Sequence, residues 1–211
     1  MKLIVGIDEA GRGPLAGPVT VGLFSAEKKM ERWLLKNVFE NKLRDSKKLS
    51  KKKREEIFEK FKEMKIEGKI DFTVAHSSPK FIDNKGISKA IQTGIDRSLE
   101  KLQLSYDRKD IVILLDGLLK APKEFKSAGG RTKTIIKGDE KDVFIACASI
   151  VAKVSRDRLM CRLAKKYPKY GFEIHKGYGT ARHVELIKKH GLSNLHRASF
   201  CSLIINRRSL G

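Results

Sequence analysis

The 211-residue chain offers little sulfur chemistry: Cys147, Cys161 and Cys201 are its only cysteines, an odd number with no C-x-x-C spacing. Such a set builds neither a disulfide framework nor a zinc site, and the three read as small packed or incidental thiols. Apolar runs of about 18 residues are also missing, which argues against a membrane-spanning helix. The opening stretch Met1–Ile7 runs into Asp8 and Glu9 with no small-residue cleavage site. It reads as a first strand and not as a secretion signal, so the expected location is cytoplasmic. No internal repeat, long low-complexity tract or clear linker interrupts the chain. At 40% hydrophobic residues it can bury one full core, and a single domain over residues 1–211 is expected. Acidic side chains are scarce, with 25 Asp+Glu against 46 Lys+Arg and a formal net charge of +21. That field draws phosphate in and makes binding salt-dependent. A lysine-rich surface also serves heat adaptation or solubility, so charge alone is weak support for a nucleic-acid partner.

Against this background the positions of a few acids stand out. Asp8 and Glu9 follow the apolar run from Met1 to Ile7, Asp116 follows Ile111–Leu115, and Asp139 comes shortly after Thr134–Ile136. Hard divalent cations prefer carboxylate oxygens, and the ends of neighbouring strands are where a sheet can gather them. Acids grouped inside a basic protein suggest metal ions that hold a polyanion. A single acid after an apolar strand is more often a turn or cap residue. Adjacent side chains on a regular strand point to opposite faces, so Asp8 and Glu9 are expected to share a site only where the strand ends or bulges.

Seven blocks occur in order along the chain: Gly6-Ile7-Asp8-Glu9-Ala10-Gly11-Arg12-Gly13, Asp45-Ser46-Lys47-Lys48-Leu49, Leu115-Asp116-Gly117, Lys137-Gly138-Asp139, Ala148-Ser149-Ile150-Val151-Ala152-Lys153-Val154 with Arg156-Asp157, His175-Lys176-Gly177-Tyr178-Gly179-Thr180, and His196-Arg197-Ala198-Ser199-Phe200. With these the chain resembles the ribonuclease HII family, the type 2 branch of the ribonuclease H superfamily. The resemblance implies a metal-dependent endoribonuclease that hydrolyses the RNA strand of RNA–DNA hybrids. It also implies cleavage on the 5′ side of ribonucleotides embedded in duplex DNA, leaving 3′-hydroxyl and 5′-phosphate ends. By the same resemblance Asp8, Glu9, Asp116 and Asp139 are the catalytic carboxylates and hold one or two Mg²⁺ or Mn²⁺ ions.

Strands are expected over residues 2–9, 18–25, 70–75, 111–115 and 131–136. Helices are expected over 28–39, from a Ser50 cap with Ile57, Phe58, Phe61 and Met64 inward, over 86–103 with Ile87, Ile91, Ile95, Leu99 and Leu102 on one stripe, over 142–165, 180–190 and 195–206. The 142–165 segment is apolar nearly all round and reads as central, with Ala146, Ala148 and Ala152 permitting close approach to a sheet. Strands mixed with helices over one core give an α/β class. The resemblance refines this to a ribonuclease H-like fold, a central mixed sheet flanked by helices with a helical C-terminal region at about 180–211.

For substrate binding, Gly11, Arg12 and Gly13 form either a loop that meets a nucleotide or a tight turn. The resemblance implies that this loop and Tyr178 read the 2′-hydroxyl, which distinguishes RNA from DNA. Ser149 and Lys153 are expected on phosphates, with Lys47 and Lys176 as further contacts. Arg156 with Asp157 reads as a structural ion pair, Lys51–Arg54 as a solvated helix start, His175 as structural, and His196–Arg197 either as part of a capped helix that packs Phe200 or as a substrate contact. The expected partners are RNA–DNA hybrid and ribonucleotide-containing duplex DNA, the expected state a monomer, and Asn206–Gly211 carries no convincing sliding-clamp motif. Two rival readings are the sister branch, ribonuclease HIII, and a noncatalytic nucleic-acid-binding module. The sister branch carries an N-terminal extension and lacks the Gly-Arg-Gly loop, and a pure binder gains nothing from acids facing phosphate.

Overall fold

The structure is a computed structural model; residues 2–43, 49–101, 107–127 and 129–206 are described. Five strands, β1 (Leu3–Ala10), β2 (Val19–Glu27), β3 (Asp71–Ser77), β4 (Ile111–Asp116) and β5 (Arg131–Ile135), form one sheet in the order β3-β2-β1-β4-β5. β1 pairs antiparallel with β2 and parallel with β4, so the sheet is mixed. The connections carry α1 (Glu31–Asn37), α2 (Lys51–Ile66), α3 (Pro79–Lys85), α4 (Ile87–Lys101) and α5 (Lys123–Ser127), and after β5 come α6 (Gly138–Lys141), α7 (Val143–Ala164), α8 (Phe172–His175), α9 (Ala181–His190) and α10 (Ala198–Asn206).

Period-two alternation sorts the strands' side chains into two cores. Ile4, Phe24 and Leu114 face α7 together with Phe58, Phe61 and Met64 of α2. Val5, Ile7, Val21, Leu23, Ile113 and Leu115 face the other way, against Ile91 and Ile95 of α4. The helix α7 is buried on most sides, as its composition predicts. Its N-terminus is capped by Asp142, whose carboxylate accepts from the N–H groups of Phe144 and Ile145 at 2.9 and 3.2 Å. Close approach depends on the strands as much as on the alanines. A Cβ on Gly22 would lie 2.7 Å from the Ala148 carbonyl oxygen and the Ala152 nitrogen, and one on Gly6 only 2.2 Å from the Phe144 carbonyl oxygen. A third, smaller cluster of Ala16, Met160, Tyr170, Phe172 and Leu195 ties α7 to the C-terminal helices.

Two expectations are revised. The helix expected over 28–39 is a 3-10 turn, Lys28–Met30, followed by the seven-residue α1. Four short helices, α3, α5, α6 and α8, lie in segments that carried no expected helix; α3 starts at Pro79 behind the Ser78 cap, whose hydroxyl accepts from Phe81 N–H at 3.2 Å. Too few turns are present there for an apolar period to register. Leu102, expected on the α4 stripe, lies outside the described residues.

Candidate active site

Parallel pairing between β1 and β4 ends at Ile7 opposite Leu115, and the next residue on each strand is an aspartate. Asp8 and Asp116 share the face of Ile4 and Leu114, the α7 side, because both sit an even number of residues further along. Two carboxylates are thereby placed side by side at the carboxyl ends of adjacent strands. β1 ends at Ala10, one residue past Glu9, as expected of a strand end at the site, and it does so without a bulge. Its antiparallel register with β2 continues through Asp8 opposite Gly22, Glu9 opposite Val21 and Ala10 opposite Thr20. Glu9 reaches the site because β4 has stopped beside it.

Asp139 arrives from a turn. After β5, Lys137 takes a left-handed conformation (φ 55°) and α6 begins, with Asp139 in its first turn. The Gly138 N–H donates to Asp116 Oδ1 at 2.6 Å, which draws the Lys137–Gly138 peptide against the Asp116 carboxylate. A Cβ at 138 would lie 3.2 Å from that oxygen and 2.5 Å from Ile145 Cδ1, so a side chain there would have to displace Ile145. All four acids line one cleft of about 450 Å³ together with Gly11, Arg12, Gly13, Arg54, Ser149, Lys153 and Tyr178.

The electrostatics of this cleft are those of crowded anions. Burial holds the Asp8 carboxyl well above the usual carboxylate range, the Glu9 and Asp116 charges add to that, and hydrogen bonds from Ser149 and from Glu9 N–H at 2.7 Å oppose it. Glu9 is raised by burial as well, partly offset by Arg12, whose Nε lies 3.2 Å from Glu9 Oε1. Among the described residues no three acidic, imidazole or thiol groups are already drawn into a closed ligand cluster. The donor set still fits a hard divalent cation: the donors are all oxygens, and a cation would relieve the repulsion and burial that raise Asp8.

Lys153 donates to Asp157 at 2.9 Å and lies 5.6 Å from the centre of the Tyr178 ring, which is 42% exposed in the cleft wall. The expected Arg156–Asp157 pair is not formed. Neighbours in a helix do not face each other, and Asp157 instead meets Lys153 one turn earlier. Arg156 is fully buried and donates to the carbonyls of Pro18, Lys176 and Ala16. Lys176 does not line the cleft; it is buried with φ 52°, and its ammonium lies on the Glu173 carbonyl oxygen. Lys47 is outside the described residues.

Sequence reasoning missed two features. Arg54 lines the cleft instead of belonging to a solvated helix start, because α2 packs against α7, and no local pattern reports such tertiary contact. Arg197 is fully buried and donates to the carbonyls of Gly11, Arg12 and Gly17, directly beneath the glycine loop. The matching His196-Arg197 block was the available signal. Phe200 does pack against the core shared by the sheet and α4, as expected, but the α10 cap comes from Asp83, distant in sequence, which accepts from Ala198 and Ser199 N–H at 2.9 and 3.1 Å.

The family model described as Ribonuclease HII matches residues 5–203. Ribonuclease HII of Caldicellulosiruptor bescii is 44% identical over 205 residues, covering 97% of this chain and 89% of that protein. Among solved structures, ribonuclease H2 from Pyrococcus horikoshii OT3 is 26% identical with a TM-score of 0.74, covering 99% of this chain and 100% of that one. A Bst-RNase HIII structure in complex with Mn²⁺ shares the fold at a TM-score of 0.69 and 16% identity, covering 98% of this chain and 71% of that one.

Proposed function

Because the chain belongs to the ribonuclease HII family and is a ribonuclease H-type endonuclease, we propose that it hydrolyses the RNA strand of RNA–DNA hybrids and cuts on the 5′ side of ribonucleotides embedded in duplex DNA. One observation carries this reading: Asp8, Glu9, Asp116 and Asp139 line a single cleft whose wall is continued by the Gly11–Gly13 loop and Tyr178. The four carboxylates are the proposed holders of one or two Mg²⁺ or Mn²⁺ ions. Such ions, when bound, supply charge neutralisation and Lewis acidity for displacement at phosphorus.

The protein's own groups have separable tasks. Lys153 and Arg54 offset the backbone charge that the acids would otherwise repel. The Ser149 hydroxyl, beside Asp8 in the cleft wall, favours the charged form of that carboxylate. Loop backbone without Cβ atoms at 11 and 13 can come within hydrogen-bond reach of a ribose, and the Tyr178 ring offers a flat face to sugar or base. In the reaction water adds to phosphorus and the bond to the 3′ oxygen breaks. The products are a 5′-phosphate that carries the water oxygen and a 3′-hydroxyl reprotonated from solvent. The proposed setting is the cytoplasm; no helix among the described residues is long and apolar enough to cross a membrane.

The test is incubation of a duplex containing one ribonucleotide, with and without Mg²⁺ or Mn²⁺, and mapping of the cut. A metal-dependent nick 5′ of the ribonucleotide is expected. Cutting only within longer RNA tracts would contradict the single-ribonucleotide assignment, and binding without cleavage would contradict the roles given to the carboxylates.

A further inference from the structure

Two fully buried guanidinium groups lie under the cleft wall, and both are committed to backbone carbonyls. Arg197 donates through Nη2 to Gly11 at 2.7 Å, through Nη1 to Arg12 at 2.9 Å and through Nε to Gly17 at 3.0 Å. Arg156 donates through Nε to Pro18 at 2.9 Å, through Nη1 to Lys176 at 3.0 Å and through Nη2 to Ala16 at 3.2 Å. Carbonyl dipoles on every side are what allow two like charges to sit close together out of water.

The peptide group makes this arrangement directional. In a planar trans peptide the carbonyl of one residue and the N–H of the next point in opposite directions. With the Gly11 and Arg12 carbonyls pulled inward onto Arg197, the N–H groups of Arg12 and Gly13 face away from it. Those residues line the cleft. Gly11 sits at φ 92°, and a Cβ there would lie 2.0 Å from Arg156 Nε, so the loop rests directly on the second guanidinium. The same region is stitched to Tyr178. Leu15 and Ala16 N–H donate to the Gly177 carbonyl at 2.9 and 3.2 Å, Arg197 N–H to Leu15 at 2.8 Å, and Arg156 lies 5.8 Å from the Tyr178 ring centre.

We propose that Arg197 is a positioning residue for ribose recognition: by gripping the Gly11 and Arg12 carbonyls it aims the Arg12 and Gly13 N–H groups into the cleft and fixes the loop's distance from Tyr178. The proposal rests on the reading that this loop and Tyr178 sense the 2′-hydroxyl. Arg197 itself touches no substrate. Lysine keeps the charge but lacks the planar fork that holds three carbonyls at once.

The experiment compares kcat/KM on a duplex with one ribonucleotide against a duplex with a long RNA tract, for the wild type and for Arg197→Lys. A purely structural role lowers the active fraction and scales both substrates alike. The expected result is a selective fall, with the single-ribonucleotide to tract ratio down about tenfold, the scale of losing hydrogen bonds made by a charged donor. An unchanged ratio overturns the proposal. If the wild type itself fails on the single ribonucleotide, the ribose-sensing reading fails, and amide hydrogen exchange decides the positioning role. Faster exchange confined to residues 10–18 in Arg197→Lys keeps that role, whereas unchanged or uniformly faster exchange removes it. If Arg197→Lys does not fold, Asp83→Ala carries the test, because partly exposed Asp83 anchors the first turn of α10 next to Arg197. The ratio is then expected to fall about threefold, and an unchanged ratio again overturns the proposal.

Discussion

Lowering the pH is expected to destabilise this protein through His183 and His196, two buried imidazoles held neutral behind the Tyr178 loop. Their Nε2 atoms are 3.1 Å apart. His196 Nδ1 accepts from the Ser193 N–H at 2.9 Å, so its proton is on Nε2 and is donated to His183 Nε2. His183 in turn carries its proton on Nδ1, which faces the Tyr178 carbonyl at 2.9 Å. A second proton on either ring would set two donors against each other. Burial is the larger cause that pushes both pKa values down, to about 4, from the ordinary 6.5. Above pH 6.5 both rings are neutral in folded and unfolded chains and contribute no pH dependence. Between 6.5 and 4 the unfolded chain takes up protons that the folded one refuses, so stability falls with pH; below 4 the folded rings titrate too and the effect levels off. Each ring accounts for on the order of 3 kcal/mol over that window, a slope of about 1.4 kcal/mol per pH unit. Urea unfolding of the wild type and of His196→Gln between pH 7.5 and 4.5 reads this out. The variant's slope is expected to be shallower by one ring's share. Equal slopes, or a ring whose nitrogen resonances titrate above pH 6, would refute the assigned protonation.

Three further outcomes follow from the site and the core. Asp139→Asn is expected to slow single-turnover cleavage at least about a hundredfold while hybrid binding, measured by fluorescence anisotropy, stays within about threefold; unchanged cleavage would remove Asp139 from the site. Gly22→Ala drives a methyl group into the α7 backbone 2.7 Å away, so thermal unfolding should report a loss of about 1–3 kcal/mol, and an unchanged Tm would contradict the close strand–helix contact. With a net charge of +21, affinity for hybrid should fall roughly a hundredfold between 50 and 200 mM salt, linear in log–log form; a flat response would mean that phosphate contacts are few.

The parts of this fold that could be read from the sequence are those with local or periodic causes. β4 shows as the unbroken run Ile111–Leu115, α7 as a segment apolar all round, and Ser50 and Asp142 cap their helices as expected. The four acids could be picked out because each follows an apolar run in a recognisable block. Tertiary features left no such mark. Arg54 looks like one more cation in a basic run until α2 is docked. Arg156 and Arg197 look like surface charges or ion-pair members, because nothing local tells that their partners are carbonyls up to 186 residues away. Glu9 was readable as a site residue at a strand end, and β1 does end at Ala10; that β4 also stops beside it was not readable, because the pairing of distant strands is not a property of the segment around Glu9.

The central claim is that Asp8, Glu9, Asp116 and Asp139 act as one cation-holding group, and titration of Mn²⁺ into the metal-free protein by calorimetry tests it without reference to substrate. Saturable binding by the wild type is predicted, weakened at least about tenfold in Asp116→Asn with an unchanged circular dichroism spectrum. Equal Mn²⁺ affinity in the two proteins, or none in the wild type, would contradict it.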